Sequence, residues 1–227
     1  MKPRLTVALA TGLLCASFAS GTENTTTLSA ERVRVFKAPL VCPAAPQIGC
    51  GSASKPILLD LEKQTGVAEA WLNRAGTIIA VVWKPDANAE DRTRAATGLK
   101  DDRAVELQGN SRDEAVKDFL SGKGWYHAAE VDRLSEEEAD IIARRLVRLI
   151  QSKSSLAKDK ADKLQRAFAD SLRKDLTGEY ARLNQKPRRL EDIARDYLDE
   201  EQIKLLREAI KEEQAIENGE RPIPKEG

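Results

Sequence analysis

Residues 66–83 read GVAEAWLNRAGTIIAVVW, and this segment sets the expected fold. Residues 67–72 alternate along the chain in the manner of a strand with one buried face. Residues 73–76, Asn-Arg-Ala-Gly, predict a turn. The apolar run at 77–83 then predicts a strand that is buried on both faces or nearly so. The segment is therefore expected to form a β-hairpin.

The flanking sequence supplies the partners for this hairpin. Alternation at Val33 and Val35, continued by residues 38–41, predicts a first strand. A helix is expected from about Ser52 to Gly66, a second one over 87–99, and a short fourth strand over 104–107. The order is βαββαβ, which is the ferredoxin-like arrangement, so the predicted class is α+β.

Beyond residue 110 the apolar period changes from two to 3.6 residues, which predicts an all-α, highly charged region. Ser135-Glu-Glu-Glu138 and Asp199-Glu-Glu-Gln202 both match the capping-box signature of a helix start. The expected organisation is a ferredoxin-like domain over 31–109, a charged helical region over 110–218 and a loose tail over 219–227.

Residues 1–19 match a secretory signal peptide. Lys2 and Arg4 precede an uncharged stretch at 5–14, and small residues at Ser17 and Ala19 suit cleavage after Ala19. The stretch is about half of what spans a bilayer, so a retained anchor fits less well, as does lipidation at Cys15. We expect a periplasmic or secreted protein with a disordered lead at 20–30 and no stable membrane insertion.

The composition argues against several classes of function. Removal of residues 1–19 leaves 35 basic and 37 acidic side chains, evenly mixed, so no nucleic-acid surface is expected. The sequence holds a single histidine, His127, and lacks both a phosphate-binding glycine loop and a Cys-x-x-Cys motif. These observations predict that the protein is not an enzyme.

Cys42 and Cys50 are the two cysteines that would remain after cleavage. They flank a loop that contains Pro43, Pro46 and Gly49, and this loop has room to turn back on itself. In an oxidising compartment the pair can close a disulfide, and in the reduced form it can bind a metal ion. The sequence leaves both states open.

Around Cys50 the chain resembles the heavy-metal-associated domain family, which includes periplasmic mercury-binding proteins and copper chaperones. The resemblance covers Arg32 to Gly109. It is carried by residues 49–53, Gly-Cys-Gly-Ser-Ala, at the metal-binding motif, by the helix residues Ile57 and Leu61, and by Gly66-Val67 before the second strand. It implies a ferredoxin-like fold and a metal-binding role for Cys50. Ala53 stands where the family has its second cysteine.

Cys42 is the candidate for the missing second ligand. Two thiolates at a helix N-terminus suit Hg(II) or Cu(I), and the helix N–H groups are expected to lower the thiolate pKa. Zn(II) would require more ligands than two cysteines and one histidine readily provide. His127 is expected to be a surface or packing residue, with Trp125 and Tyr126 at the contact between the two regions. The alternative function is a disulfide-locked scaffold whose helical region engages a protein partner.

Overall fold

The structure, a computed structural model, describes residues 28–222. The predicted signal peptide, residues 20–27 of the predicted lead and the last five residues of the predicted tail lie outside this range. Within it the strands and helices follow one another in a mixed order: β1 (Val33–Lys37), α1 (Gly51–Glu62), β2 (Val67–Asn73), β3 (Ile78–Trp83), α2 (Ala89–Asp101), β4 (Val105–Glu106), α3 (Gly109–Leu120), β5 (Trp125–His127), α4 (Asp132–Lys153), α5 (Lys158–Leu176), α6 (Glu179–Arg182), α7 (Leu190–Ala194) and α8 (Glu200–Glu217).

The five strands form one sheet in the order β4-β1-β3-β2-β5, and every neighbouring pair is antiparallel. The predicted hairpin is β2 and β3, which pair with each other, for example Ala70 with Val81. The side chain of Asn73 closes the turn by accepting hydrogen bonds from the N–H groups of Thr77 and Ile78 at 2.9 and 3.0 Å. The predicted mixture of helices with an antiparallel sheet is therefore confirmed.

Two features of the predicted fold are wrong. Residues 125–127 lie in the region predicted to be all-α, yet they form β5 and extend the sheet beyond β2. Helix α6 was also not predicted. Neither element has a readable period, because three residues of strand and one helical turn are too short to show one. Pairing with β2 and packing on α5 determine them instead.

Both faces of the sheet are covered, which explains the continuous apolar run in β3. Ile79, Val81 and Trp83 belong to the large core beneath α1 and α2. Ala80 and Val82 point to the opposite face, where α3 covers them with Val116 and Phe119. Strand β3 is thus buried on both faces, as the sequence predicts.

Helix α4 joins the sheet unit to the remaining helices. It packs against α5, α8 and α1. Leu58 of α1, Leu146 of α4 and Phe168 of α5 belong to a single cluster of buried residues. One hydrophobic core therefore continues across the boundary predicted at residues 109 and 110.

Among the described residues, no helix is both long and apolar enough to cross a bilayer.

The two predicted capping boxes have different outcomes. At Asp199 the prediction is confirmed, because the Asp199 side chain and the Gln202 side chain each accept a hydrogen bond from the other's backbone N–H. At Ser135 it is wrong, because α4 already begins at Asp132. Ser135 and Glu138 consequently lie inside the helix and are buried.

A buried ion pair connects α4, α8 and the segment that follows Cys42. Arg145 donates to the Glu213 carboxylate at 2.6 Å and to the carbonyl oxygen of Ala44 at 2.6 Å. Both charged side chains are less than 10% exposed. Removal of one partner from such a pair leaves a buried charge without its counterion.

We predict that Arg145→Met lowers the free energy of unfolding by about 3–5 kcal/mol. The double variant Arg145→Met/Glu213→Leu should lose less than the single variant, since it leaves no buried charge. Urea unfolding measures both, with Lys153→Met in the exposed pair with Glu208 as a control that changes stability by at most about 1 kcal/mol. A single variant as stable as this control would contradict the prediction.

Gly76 ends the β2–β3 turn and touches the segment that carries the cysteines. Its φ is +69°, and a Cβ there would lie 2.3 Å from the carbonyl oxygen of Leu40 and 2.5 Å from Cα of Gly49. Gly122 has nearly the same φ, +71°, but a Cβ there would meet nothing within 4 Å.

We predict that Gly76→Ala destabilises the protein by about 3 kcal/mol or more, whereas Gly122→Ala costs only about 1 kcal/mol. Both substitutions impose the same backbone strain. The difference between their two losses of stability therefore measures the crowding at Leu40 and Gly49. Chemical denaturation of both variants provides the comparison. Equal losses of stability would mean that the close approach of the turn to Leu40 and Gly49 does not restrict the residue at position 76.

Candidate functional site

Residues 42–50, here called the cysteine loop, fold back on themselves as a small hairpin. Val41 and Gly49 form an antiparallel bridge. The N–H of Cys42 donates to the Ile48 carbonyl at 2.9 Å, and the N–H of Cys50 donates to the Leu40 carbonyl at 2.7 Å. In this register the side chains of Cys42 and Cys50 point to the same face of the hairpin. Both cysteines are free thiols in the structure.

The Cys42 thiol is completely buried and lies close enough to Glu138 for the carboxylate to affect its pKa. Burial raises the pKa of this thiol strongly, and the negative charge of Glu138 raises it further. A weaker opposite effect comes from a hydrogen bond with the backbone of Ala45. The expectation of a lowered thiolate pKa is therefore wrong for Cys42, because the sequence did not show that a buried carboxylate faces it.

Cys50 occupies the N-cap position of α1 and is partly exposed. Its Sγ is hydrogen-bonded to Oγ of Ser52 at 3.4 Å, where either atom can be the donor, and it makes no capping hydrogen bond with the backbone of the helix. The Ser54 hydroxyl donates a hydrogen bond to the carbonyl oxygen of Cys50 at 2.6 Å. Ala53, at the position of the second family cysteine, is exposed.

Helix α4 forms the wall beside the start of α1. A Cβ on Gly51 would lie 2.5 Å from Oγ of Ser135 and 2.6 Å from the carbonyl oxygen of Val131, so only glycine fits at this contact. The Lys55 ammonium and the Asp132 carboxylate form an ion pair across the same interface. The start of α1 is therefore held against the first turn of α4.

Glu138 is the site residue that the sequence did not reveal. It is 6% exposed and lies three residues after Ser135 on the inner side of α4. The segment contains three consecutive glutamates, and the capping-box interpretation assigned them to a helix start. A usable signal was present in the spacing, because Ser135, Glu138, Ile142 and Arg145 fall at the intervals of one helix face.

His127 lies on β5, where it contacts the last residue of α1 and a residue of the neighbouring strand β2. Its Nε2 is 2.8 Å from the Glu62 carboxylate, and its ring packs edge-to-face on Trp71 at 5.1 Å between centroids. This agrees with a packing role. Trp125 joins the two regions as expected, because it pairs with Asn73 of β2 and packs in one cluster with residues of β1 and β3. It lies under α3, where it packs on Phe119 and donates to Asp118.

The fold brings Glu138 near Cys42 and turns the cysteine loop so that Cys50 lies on the same face as Cys42. Among residues 28–222, however, no group of three or more His, Cys, Asp or Glu side chains could hold a metal ion. Comparison with protein-family models, with curated proteins and with solved structures finds no match to this chain.

We predict that the two thiols react at very different rates in the native protein. In a Cys15→Ser background, an aromatic disulfide reagent at about pH 8 should titrate one thiol rapidly, that of Cys50, and the other only after unfolding. The raised pKa keeps Cys42 protonated and burial shields it. Cys50→Ser should remove the fast phase and Cys42→Ala should leave it. Two thiols that react equally fast without denaturant would contradict the burial of Cys42.

Proposed function

We propose that this protein is an exported metal-handling protein that binds a soft ion such as Hg(II) or Cu(I) through Cys50 and Cys42. The observation that carries the proposal is the register of the cysteine loop, which points both thiols to one face of a hairpin beside the start of α1. Two thiolates match the low coordination number and the softness of these ions. Export to the periplasm or the medium rests on residues 1–19.

We further propose that residues 33–106 form a ferredoxin-like unit of the heavy-metal-associated type. Support comes from the element order β1-α1-β2-β3-α2-β4 and from the strand order β4-β1-β3-β2 within the larger sheet. Cys50 precedes α1, which is the position that the family resemblance assigns to its metal ligand.

The difference between the two thiols suggests an order of events. Cys50 is accessible, so an incoming ion meets it first. Cys42 would then release its proton to water and bind the ion as a thiolate, and its buried side chain would have to shift to do so. Binding is therefore expected to be slower than at an exposed cysteine pair.

A second candidate function is a scaffold that engages a protein partner through its helical region. It is supported by residues 182–189, which carry four basic and no acidic side chains and are exposed throughout. Leu183, 54% exposed, adds an apolar group to this segment. Under this alternative an oxidised Cys42–Cys50 pair would only stabilise the fold.

We predict that the reduced protein binds one Hg(II) or one Cu(I) ion. Cys50→Ser should weaken binding by about 100-fold or more and Cys42→Ser by at least about tenfold, because each removes one of two sulfur ligands. Native mass spectrometry and competition titrations in a Cys15→Ser background measure stoichiometry and affinity.

Ser52→Ala, which changes the neighbour of the Cys50 sulfur without removing a thiol, serves as the matched control and should bind like the parent. A reduced parent protein that takes up neither ion would overturn the metal-handling proposal and favour the scaffold.

A further inference from the structure

An open cavity of about 420 Å³ lies between α7 and α8, and its size is in the range of ligand-binding clefts. Residues 189–191, at the start of α7, form one wall. The other wall is one face of α8, because its members follow one another at intervals of three or four residues or fewer. These members are Arg207, Ile210, Lys211 and Gln214. We call this feature the α7–α8 cavity.

The lining of the α7–α8 cavity is positively charged, with Arg189, Arg207 and Lys211 facing the single carboxylate of Glu191. Both arginines share this carboxylate: Nε of Arg207 lies 3.1 Å from it and a terminal nitrogen of Arg189 lies 3.6 Å from it. In the described part of the chain, no hydrogen bond uses the two terminal nitrogens of Arg207. A guanidinium in this state retains donors for a second carboxylate.

Lys211 adds a cation without a counterion. It follows Arg207 by four residues on α8, and like charges at this spacing slightly destabilise a helix. Over residues 28–222 it forms no ion pair, and the carboxylate of Glu208, three residues earlier, pairs with Lys153 instead. A bound anion would relieve the repulsion between these two cations.

The chain enters the α7–α8 cavity through the exposed basic segment 182–189, which ends at Arg189. Arg188, one residue earlier, lines a different cavity, where Asp170 and Asp196 balance the charges of Arg188 and Lys174. Of the two neighbouring cavities, the α7–α8 cavity is therefore the one that carries an excess of positive charge.

We propose that the α7–α8 cavity is a docking site for an acidic peptide segment of a protein partner. A carboxylate of the peptide binds the Arg207 guanidinium, and an apolar side chain of the peptide packs on Leu190 and Ile210. The site uses neither cysteine, so it is independent of the metal-handling proposal. It rests on the second candidate function and specifies the class of partner.

Two features favour a peptide over a continuous polyanion such as a nucleic acid. Glu191 places a negative charge within the lining, and this charge repels closely spaced phosphates. Leu190 and Ile210 are partly exposed apolar side chains that also pack on the core, and they contribute to binding only when the partner brings an apolar group. A peptide that alternates acidic and apolar residues supplies both kinds of contact.

The test measures fluorescence anisotropy of a labelled, end-blocked peptide, Asp-Glu-Leu-Asp-Glu-Leu, titrated with the full chain. The parent protein should bind it, and the affinity should fall as salt is added. Arg207→Gln should weaken binding by about tenfold, and Lys211→Gln by about threefold, because each removes a cation from the lining. Both positions are exposed, so both variants are expected to fold, which circular dichroism checks.

Lys204→Gln is the matched control, since it removes the same charge from α8 at a position outside the cavity, where Lys204 pairs with Glu201. It should bind the peptide like the parent protein. The peptide Asn-Gln-Leu-Asn-Gln-Leu, which lacks the charges, and Asp-Glu-Ser-Asp-Glu-Ser, which lacks the apolar side chains, should each bind at least about tenfold more weakly.

No binding of the acidic peptide by the parent protein would overturn the docking site, while the metal titrations decide the metal-handling proposal separately. Equal losses of affinity in Lys204→Gln and Arg207→Gln would also overturn it, since net charge alone would then explain binding. Tighter binding of a phosphatidylserine vesicle or of a single-stranded oligonucleotide than of the peptide would contradict the assignment of a peptide partner.

Discussion

The contact between α4 and the start of α1 is the constraint on which the candidate site depends. Ser135 meets Gly51 there, Glu138 meets Cys42, and Arg145 holds the carbonyl of Ala44. These polar groups lie on one side of a helix whose other inward positions are apolar. The cysteine loop is therefore positioned as much by a helix nearly a hundred residues away in the sequence as by its own prolines and glycine.

This dependence explains which parts of the fold the sequence could predict. The β2–β3 hairpin and the helix before it were predictable because alternation, turn residues and caps are local signals. Strand β5 was not, because three residues carry no period and its existence depends on the free edge of β2. The start of α4 was misassigned because Ser135 and Glu138 reproduce a capping signature while they serve the interior.

The features of the candidate site also differ in whether the local sequence could predict them. The position of Cys50 at the start of a helix and the folding back of the loop toward Cys42 followed from nearby residues. The burial of Cys42, the direction of its pKa shift and the approach of Glu138 did not, because each depends on tertiary packing. A sequence rich in glutamate offers many equivalent candidates, and only the fold distinguishes the one that is buried.

The two edges of the sheet have a further consequence. The outer strands β4 and β5 are only two and three residues long. An exposed strand edge is a template for pairing with another chain, and very short edge strands remove most of that template. Although Val105 on β4 is 64% exposed, its strand offers too few backbone groups for a stable intermolecular ladder. The short outer strands therefore limit edge-to-edge pairing of this sheet with other chains.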